Sequence, residues 1–229
     1  MWLLFSSVGR KVIMSLSGVF LILFLVFHLA MNLTAVFSEN AYNTICELLG
    51  SNWYALLGTA VLAGGFAVHL LMALWLSWQN FLARGTGRYA VSTRPAGVSW
   101  ASLNMLIIGA VVAGFLLLHL AQFWYHMMFA ELSGHHSVIL NDQAVSTTDG
   151  AAFINYYFSH TWVVIAYLLW YTAIYFHLSH GFWSALHSLG LNNSTWLPRL
   201  KYASHLFAGA ICLGFAFVTL FFYFKNLFA

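Results

Sequence analysis

The stretch "LVFHLAMN", residues 25–32, decides how the chain is read. It lies toward the end of an apolar run that begins near Val12, and it spends one position on an imidazole, His28. A segment that faces only lipid has no use for a histidine, because ionisable side chains inside a membrane are costly and mark sites. The chain around it leaves little doubt about the solvent. Of its 229 residues, 62% are hydrophobic and 6% charged, whereas a soluble domain carries about a quarter charged. Such a chain cannot cover a water-facing surface, so its solvent is membrane lipid. The apolar runs are long and continuous rather than alternating, which predicts helices and not barrel strands.

Five runs reach the roughly 20 residues a helix needs to cross a bilayer. They lie at about 12–36, 53–82, 98–129, 155–189 and 202–225, and together make 1–229 a single all-α membrane domain. Breaker-rich segments, "RGTGRYAVSTRPAG" (84–97) and "GLNNSTWLPR" (190–199), close the second and fourth runs. The first ten residues carry no cleavable-leader pattern. Seven of the eight basic residues (Arg10, Lys11, Arg84, Arg88, Arg94, Arg199, Lys201) flank the spans on one side, and all five acids (Glu39, Glu47, Glu131, Asp142, Asp149) fall on the other. Basic loops stay inside, so the N-terminus is expected in the cytoplasm and the C-terminus outside. The net charge of +3 is no nucleic-acid signal. Cys46 and Cys212 make neither a metal pattern nor an expected disulfide. The loops leave no room for a nucleotide domain or a hydrolytic site.

Four of the eleven histidines sit deep in four different spans: His28, His69, His119 and His177. At 1.5 Å per helical residue, His28 and His119 lie about 14 and 15 Å from the outer ends of their spans, and His69 and His177 about 24 and 22 Å. The depths therefore define an outer pair and an inner pair. Two imidazoles at equal depth on different helices are what a bis-histidine haem needs, and two such pairs predict two haems b. Gly65, four residues before His69, and Gly181, four after His177, share the faces of those histidines and would let a macrocycle approach the backbone. His180, one turn from His177, is the rival ligand for the inner site; depth favours His177, which leaves His180 as a supporting contact. Ser15 and Ser17 at the inner end of the first span could hold a propionate or bond back to their own helix. His126 and His160 lie near the outer surface, His187 and His205 near the inner one, and "GHH" (134–136) falls in the outer loop. A proton-coupled transporter with a histidine relay is the alternative from another class.

The motifs around these histidines resemble a known family. "SLSGVFLILFLVFHLAMN" (15–32) is similar to the first span of the cytochrome b subunit of succinate:quinone oxidoreductases, and "FHLSHGFWSALHSLG" (176–190) to the fourth. "VHLLMALWL" (68–76) and "LHLAQFW" (118–124) resemble the second and third. The resemblance spans nearly the whole chain and points to the single-anchor, two-haem class, with a haem-binding four-helix core plus a fifth helix. It implies His28 and His119 as ligands of the outer haem b, and His69 and His177 of the inner. It implies a bacterial cytoplasmic membrane and a three-subunit complex, in which a flavoprotein carries FAD and the succinate site and an iron–sulfur subunit carries clusters. The resemblance further implies that the chain anchors both, passes electrons inward to outward, and uses menaquinone. Glu47, in the first outer loop, is the carboxylate expected to protonate the quinone. Some fumarate-reducing relatives carry a glutamate two residues before the fourth-span ligand; here Tyr175 stands there, so a compensating proton path is not expected. An inside-negative potential then favours outward electron flow by about 2.3 kcal/mol per charge per 100 mV. A cytochrome b anchor of another respiratory dehydrogenase, such as a hydrogenase or formate dehydrogenase, shares most of these features.

Overall fold

The computed structural model describes residues 6–50, 52–83, 99–191 and 193–228. Arg84, Arg88 and Arg94 lie outside the described residues. Helix α1 (Ser7–Phe37) starts where Ser6 Oγ accepts from the Gly9 amide at 2.9 Å, a standard satisfaction of a free first-turn N–H. It stops at Ser38, which at once caps α2 (Glu39–Leu48) by accepting from the Ala41 amide. Helix α3 (Trp53–Ala83) returns across the bundle. The third crossing is built in pieces: α4 (Trp100–Leu103), α5 (Met105–His119), a π-helical stretch Leu120–Phe129, and α6 (Ala130–Leu132).

The loop that follows is ordered. Strands β1 (Ser137–Leu140) and β2 (Gln143–Ser146) pair antiparallel, with Leu140 opposite Gln143. The two turn residues, Asn141 and Asp142, both have positive φ (49° and 61°), the backbone that a two-residue hairpin with right-handed strand twist requires. Helix α7 (Gly150–Phe158) is capped by Asp149 and precedes α8 (Thr161–Ser188). The sequence predicts one long run over 155–189; the structure divides it. Ser159 Oγ and His160 Nδ1 both bond to the Tyr156 carbonyl, at 2.7 and 2.8 Å, and end α7 there. Helix α9 (Trp196–Leu227) completes the chain.

Five crossings, Ser7–Phe37, Trp53–Ala83, Met105–Leu132, Thr161–Ser188 and Trp196–Leu227, are long and apolar enough to span a membrane. At 28 to 32 residues, each is longer than a hydrocarbon core of about 30 Å needs. The chain is thus an all-α, multi-pass membrane protein. Helix α8 is the central post, packed on α1, α5 and α9, while α3 leans mainly on α1 and meets α5 at few points. Helices α1, α3, α5 and α8 form a four-sided ring in which α1 faces α5 and α3 faces α8 across the diagonals. Helix α9 closes the outside against α8 and α1, with Ala208, Phe215, Val218 and Phe222 buried there. Gly214 permits that approach: a Cβ on it would sit 2.8 Å from Leu29 Cδ2.

The two ends differ. At one, Arg10 donates to Gln79 at 2.6 Å, joining α1 to α3. At the other, Lys225 pairs with Glu39, and Asn226 donates to the Asn155 carbonyl at 3.1 Å. Among the described residues Lys225 is the one basic residue on the acidic end, and its partner is an acid. Lys225 holds the Glu39 carboxyl below the ordinary carboxylate range.

Candidate functional site

Both diagonals of the ring carry a histidine pair. His28 of α1 and His119 of α5 bring their ring centres to 5.8 Å with planes 85° apart. His69 of α3 and His177 of α8 stand 6.3 Å apart at 69°. The spacing of the two layers follows from the helices. Gly18 of α1 faces the His69 ring and Gly109 of α5 faces the His177 ring; each lies ten residues from the histidine of the other layer on its own helix. Ten residues rise about 15 Å, so both helices give the same separation.

The outer pair sits among aromatics. Phe24 stacks on His28 at 5.3 Å and Phe215 lies at 5.9 Å. Phe123, Trp170 and Tyr167 surround His119 at 5.2, 5.6 and 6.2 Å. The inner pair is walled by glycine instead: a Cβ at Gly18 would lie 3.4 Å from His69 Cε1, and one at Gly109 3.5 Å from His177 Cε1. Sequence reasoning singled out Gly65 and Gly181. Gly65 is covered by the Phe20 ring, whereas a Cβ at Gly181 would meet nothing within 4 Å, leaving open space on the His177 face. The signal for Gly18 and Gly109 was present in the sequence, ten residues before His28 and His119, but it belongs to contacts between helices rather than along one.

Hydroxyl groups set the tautomers. Ser17 has one proton and donates it to the Met14 carbonyl at 3.0 Å. Its oxygen therefore accepts from His69 Nδ1–H, 3.2 Å away. Tyr167 donates to Gln122 Oε1 at 2.9 Å, so its oxygen accepts from His119 Nδ1–H at 3.3 Å. In each layer one histidine is thus fixed with its proton on Nδ1 and a lone pair on Nε2, the arrangement of a ligand oriented by a neighbour. His177 Nδ1 is buried without a hydrogen-bond partner among the described residues, and so is His180 Nδ1.

The His69 ring meets His177; His180 instead turns edge-on to Trp183 at 5.0 Å, beneath Lys201 at 4.8 Å from the same indole. Ser15 is buried, but the hydroxyl that reaches a histidine is Ser17's. Tyr175 bonds His205 Nδ1 at 3.1 Å. His126 lies against Tyr157 and the Gln122 carbonyl, both at 3.3 Å, and His135 and His136 are exposed. Glu47 is exposed and lines a cleft of about 510 Å³ at the acidic end with Thr44, Leu48, Asn52, Tyr54 and Glu131. The structure brings Glu47 together with Glu131 at this cleft, a pairing that sequence separation does not announce.

Among the described residues no group of three or more His, Cys, Asp or Glu side chains converges. A bare zinc-like ion wants about four protein ligands or an open water position. Two imidazoles suit an iron whose other positions a macrocycle already fills. Metal–imidazole bonds of about 2 Å on opposite sides of one ion put ring centres about 6 Å apart, which the observed 5.8 and 6.3 Å match. No family model, curated protein or solved structure matches the chain.

Proposed function

We propose that the chain is the dihaem cytochrome b anchor of a succinate:menaquinone oxidoreductase, carrying electrons between an iron–sulfur partner at its basic end and quinone near its acidic end. The observation that carries this reading is the pair of facing imidazole pairs on opposite diagonals of one helix ring, two layers about 15 Å apart along the helices. When bound, a bis-histidine haem b takes up and passes on single electrons with little rearrangement and leaves no open position for oxygen. The chain's residues supply the rest. His28 and His119 hold the outer group, His69 and His177 the inner. Ser17 and Tyr167 keep one ligand of each pair in the tautomer that presents Nε2. Phe24, Phe123 and Trp170 keep water from the outer layer, and Gly18 and Gly109 leave room beside the inner one. Glu47, at the polar cleft, is placed in water to deliver a proton to a reduced quinone.

A histidine relay needs polar groups at hydrogen-bonding distance from one layer to the next. Residues 19–27 of α1, 60–68 of α3 and 110–118 of α5 contain no polar side chain. The polar groups of α8 between the layers are engaged elsewhere, Trp170 with the Val112 carbonyl, Tyr171 with Thr219, Thr172 with the Leu168 carbonyl and Tyr175 with His205. Both observations favour electron over proton transfer between the layers. The choice of succinate rests on the four motifs, in order, that resemble the succinate:quinone oxidoreductase anchors. By the same reading the basic end faces the cytoplasm and a flavoprotein with FAD docks there through the iron–sulfur subunit. The experiment is purification of the tagged chain from its native membrane. The expected result is co-purification of a flavoprotein and a cluster protein, and a b-type absorbance that succinate reduces. A b-type chain reduced by hydrogen or formate but not by succinate sinks the choice of complex; a colourless preparation sinks the haem reading.

A further inference from the structure

We infer that Gln122 is a positioning residue for the outer histidine pair, acting through Tyr167; the inference rests on the haem reading above. Gln122 and Tyr167 are both buried, at 6% and 3% exposure, and bonded to each other at 2.9 Å. Neither has a packing reason to be polar. Tyr167 sits in the core against His119, Phe123 and Phe158, where phenylalanine would fill the same space. Gln122 lies three residues beyond His119, just inside the π-helical stretch Leu120–Phe129. A single-residue widening of the helical turn is a common way to re-aim side chains at functional positions, and here the stretch begins directly after the histidine.

The chemistry is a question of where one proton goes. The Tyr167 oxygen lies 3.3 Å from His119 Nδ1. A tyrosine hydroxyl can donate to that nitrogen or accept from it. Because Gln122 Oε1 takes the tyrosine proton, Tyr167 accepts, His119 carries its own proton on Nδ1, and Nε2 keeps its lone pair for the pair's centre. Without Gln122 the nearest acceptor for the buried hydroxyl is His119 Nδ1 itself. That bond requires the proton on Nε2, the wrong side for a ligand. The inner layer solves the same problem with a backbone carbonyl, Met14, behind Ser17, which no substitution removes. Only the outer layer depends on a side chain for this.

The prediction is therefore a suppression pattern rather than a simple loss. Gln122→Leu lowers the outer haem content of the purified complex by half or more while the inner haem is kept. Gln122→Glu, which retains an acceptor oxygen, keeps both. Tyr167→Phe keeps both haems. Removing the bond that makes His119 a more basic ligand favours the reduced outer haem about tenfold, a rise of 59 mV for one electron. The double variant Gln122→Leu with Tyr167→Phe regains the outer haem, because the misplaced donor is gone. Haem content is read by pyridine haemochromogen and the two potentials by optical titration. Damage that adds in the double variant, or a Gln122→Leu chain with full outer haem, overturns the inference. Where Tyr167→Phe fails to fold, the contrast of Gln122→Leu with Gln122→Glu decides alone. A wild-type preparation without haem ends the haem reading and this inference together; a dihaem wild type whose outer haem ignores Gln122 ends only the inference.

Discussion

The two histidine layers use the same pairing and opposite surroundings. The outer layer is caged by large rings: Phe24, Phe123, Tyr167, Trp170 and Phe215. The inner layer has glycines where the outer has aromatics, and a serine where the outer has a tyrosine. The difference follows the packing. The outer pair lies against the dense α8–α9 core, where every neighbour fills space. The inner pair involves α3, which leans mainly on α1 and meets α5 at few points, so room there is made by leaving side chains out. A ligand's orientation can thus be fixed by filling its surroundings or by emptying them, and the two layers should respond differently to the same kind of change.

The largest effect is expected from the ligands. His28→Leu or His119→Leu removes one haem of the two, and His69→Leu or His177→Leu removes the other, as read by haem content and by which spectral component disappears. His180→Ala keeps the inner haem. Loss of the same component by His28→Leu and His69→Leu would break the pairing by diagonals. Next come the walls. Gly18→Val or Gly109→Val drives a Cγ into the His69 or His177 ring and empties the inner layer, whereas Gly18→Ala, with its Cβ at 3.4 Å, is close to neutral. Glycine walls on both layers would predict the same from the outer side. Instead Phe24→Ala should leave the outer haem bound but loosen it, costing about 1–2 kcal/mol, below the ~3–5 kcal/mol of a fully buried phenylalanine. Thermal release of haem from each layer, followed by absorbance, separates the two cases.

Glu47→Gln is expected to leave both spectra intact and slow quinone reduction several-fold, with dye-linked succinate oxidation unchanged. Unchanged quinone turnover moves the proton donor elsewhere in the cleft. The smallest effect concerns the Glu39–Lys225 pair at the acidic end. Lys225 lowers the Glu39 pKa in the folded chain, so its contribution is present above the unfolded carboxylate range and lost as pH falls through the folded value. Being exposed, the pair is worth little. A small acid-side loss of stability, absent in Lys225→Met, is the expected outcome in a thermal melt series across that range.

The spans were legible because a bilayer imposes a length on apolar runs, and the layers were legible because helical rise converts residue number into depth. What lies between helices was not. Depth places His69 opposite His177, yet it cannot name Gly18 and Gly109 as their neighbours, and it assigned to Gly65 a space that Phe20 fills. The division of 155–189 into α7 and α8 turns on Ser159 and His160 reaching one carbonyl, a side-chain competition that apolar periodicity does not register. The hairpin is legible in principle from the Asn141–Asp142 pair between the short stretches 137–140 and 143–146, but a two-strand pairing in a loop leaves no apolar run to mark it. Gln122 was hidden because a lone glutamine in a span reads as a packing detail until Tyr167 is seen against it.

If each histidine pair holds one haem, the haem-to-chain ratio of the purified wild-type protein is two. Pyridine haemochromogen analysis is expected to give two b-type haems per chain, with optical titration resolving two one-electron components and low-spin signals for both. One haem per chain, or none, contradicts the account.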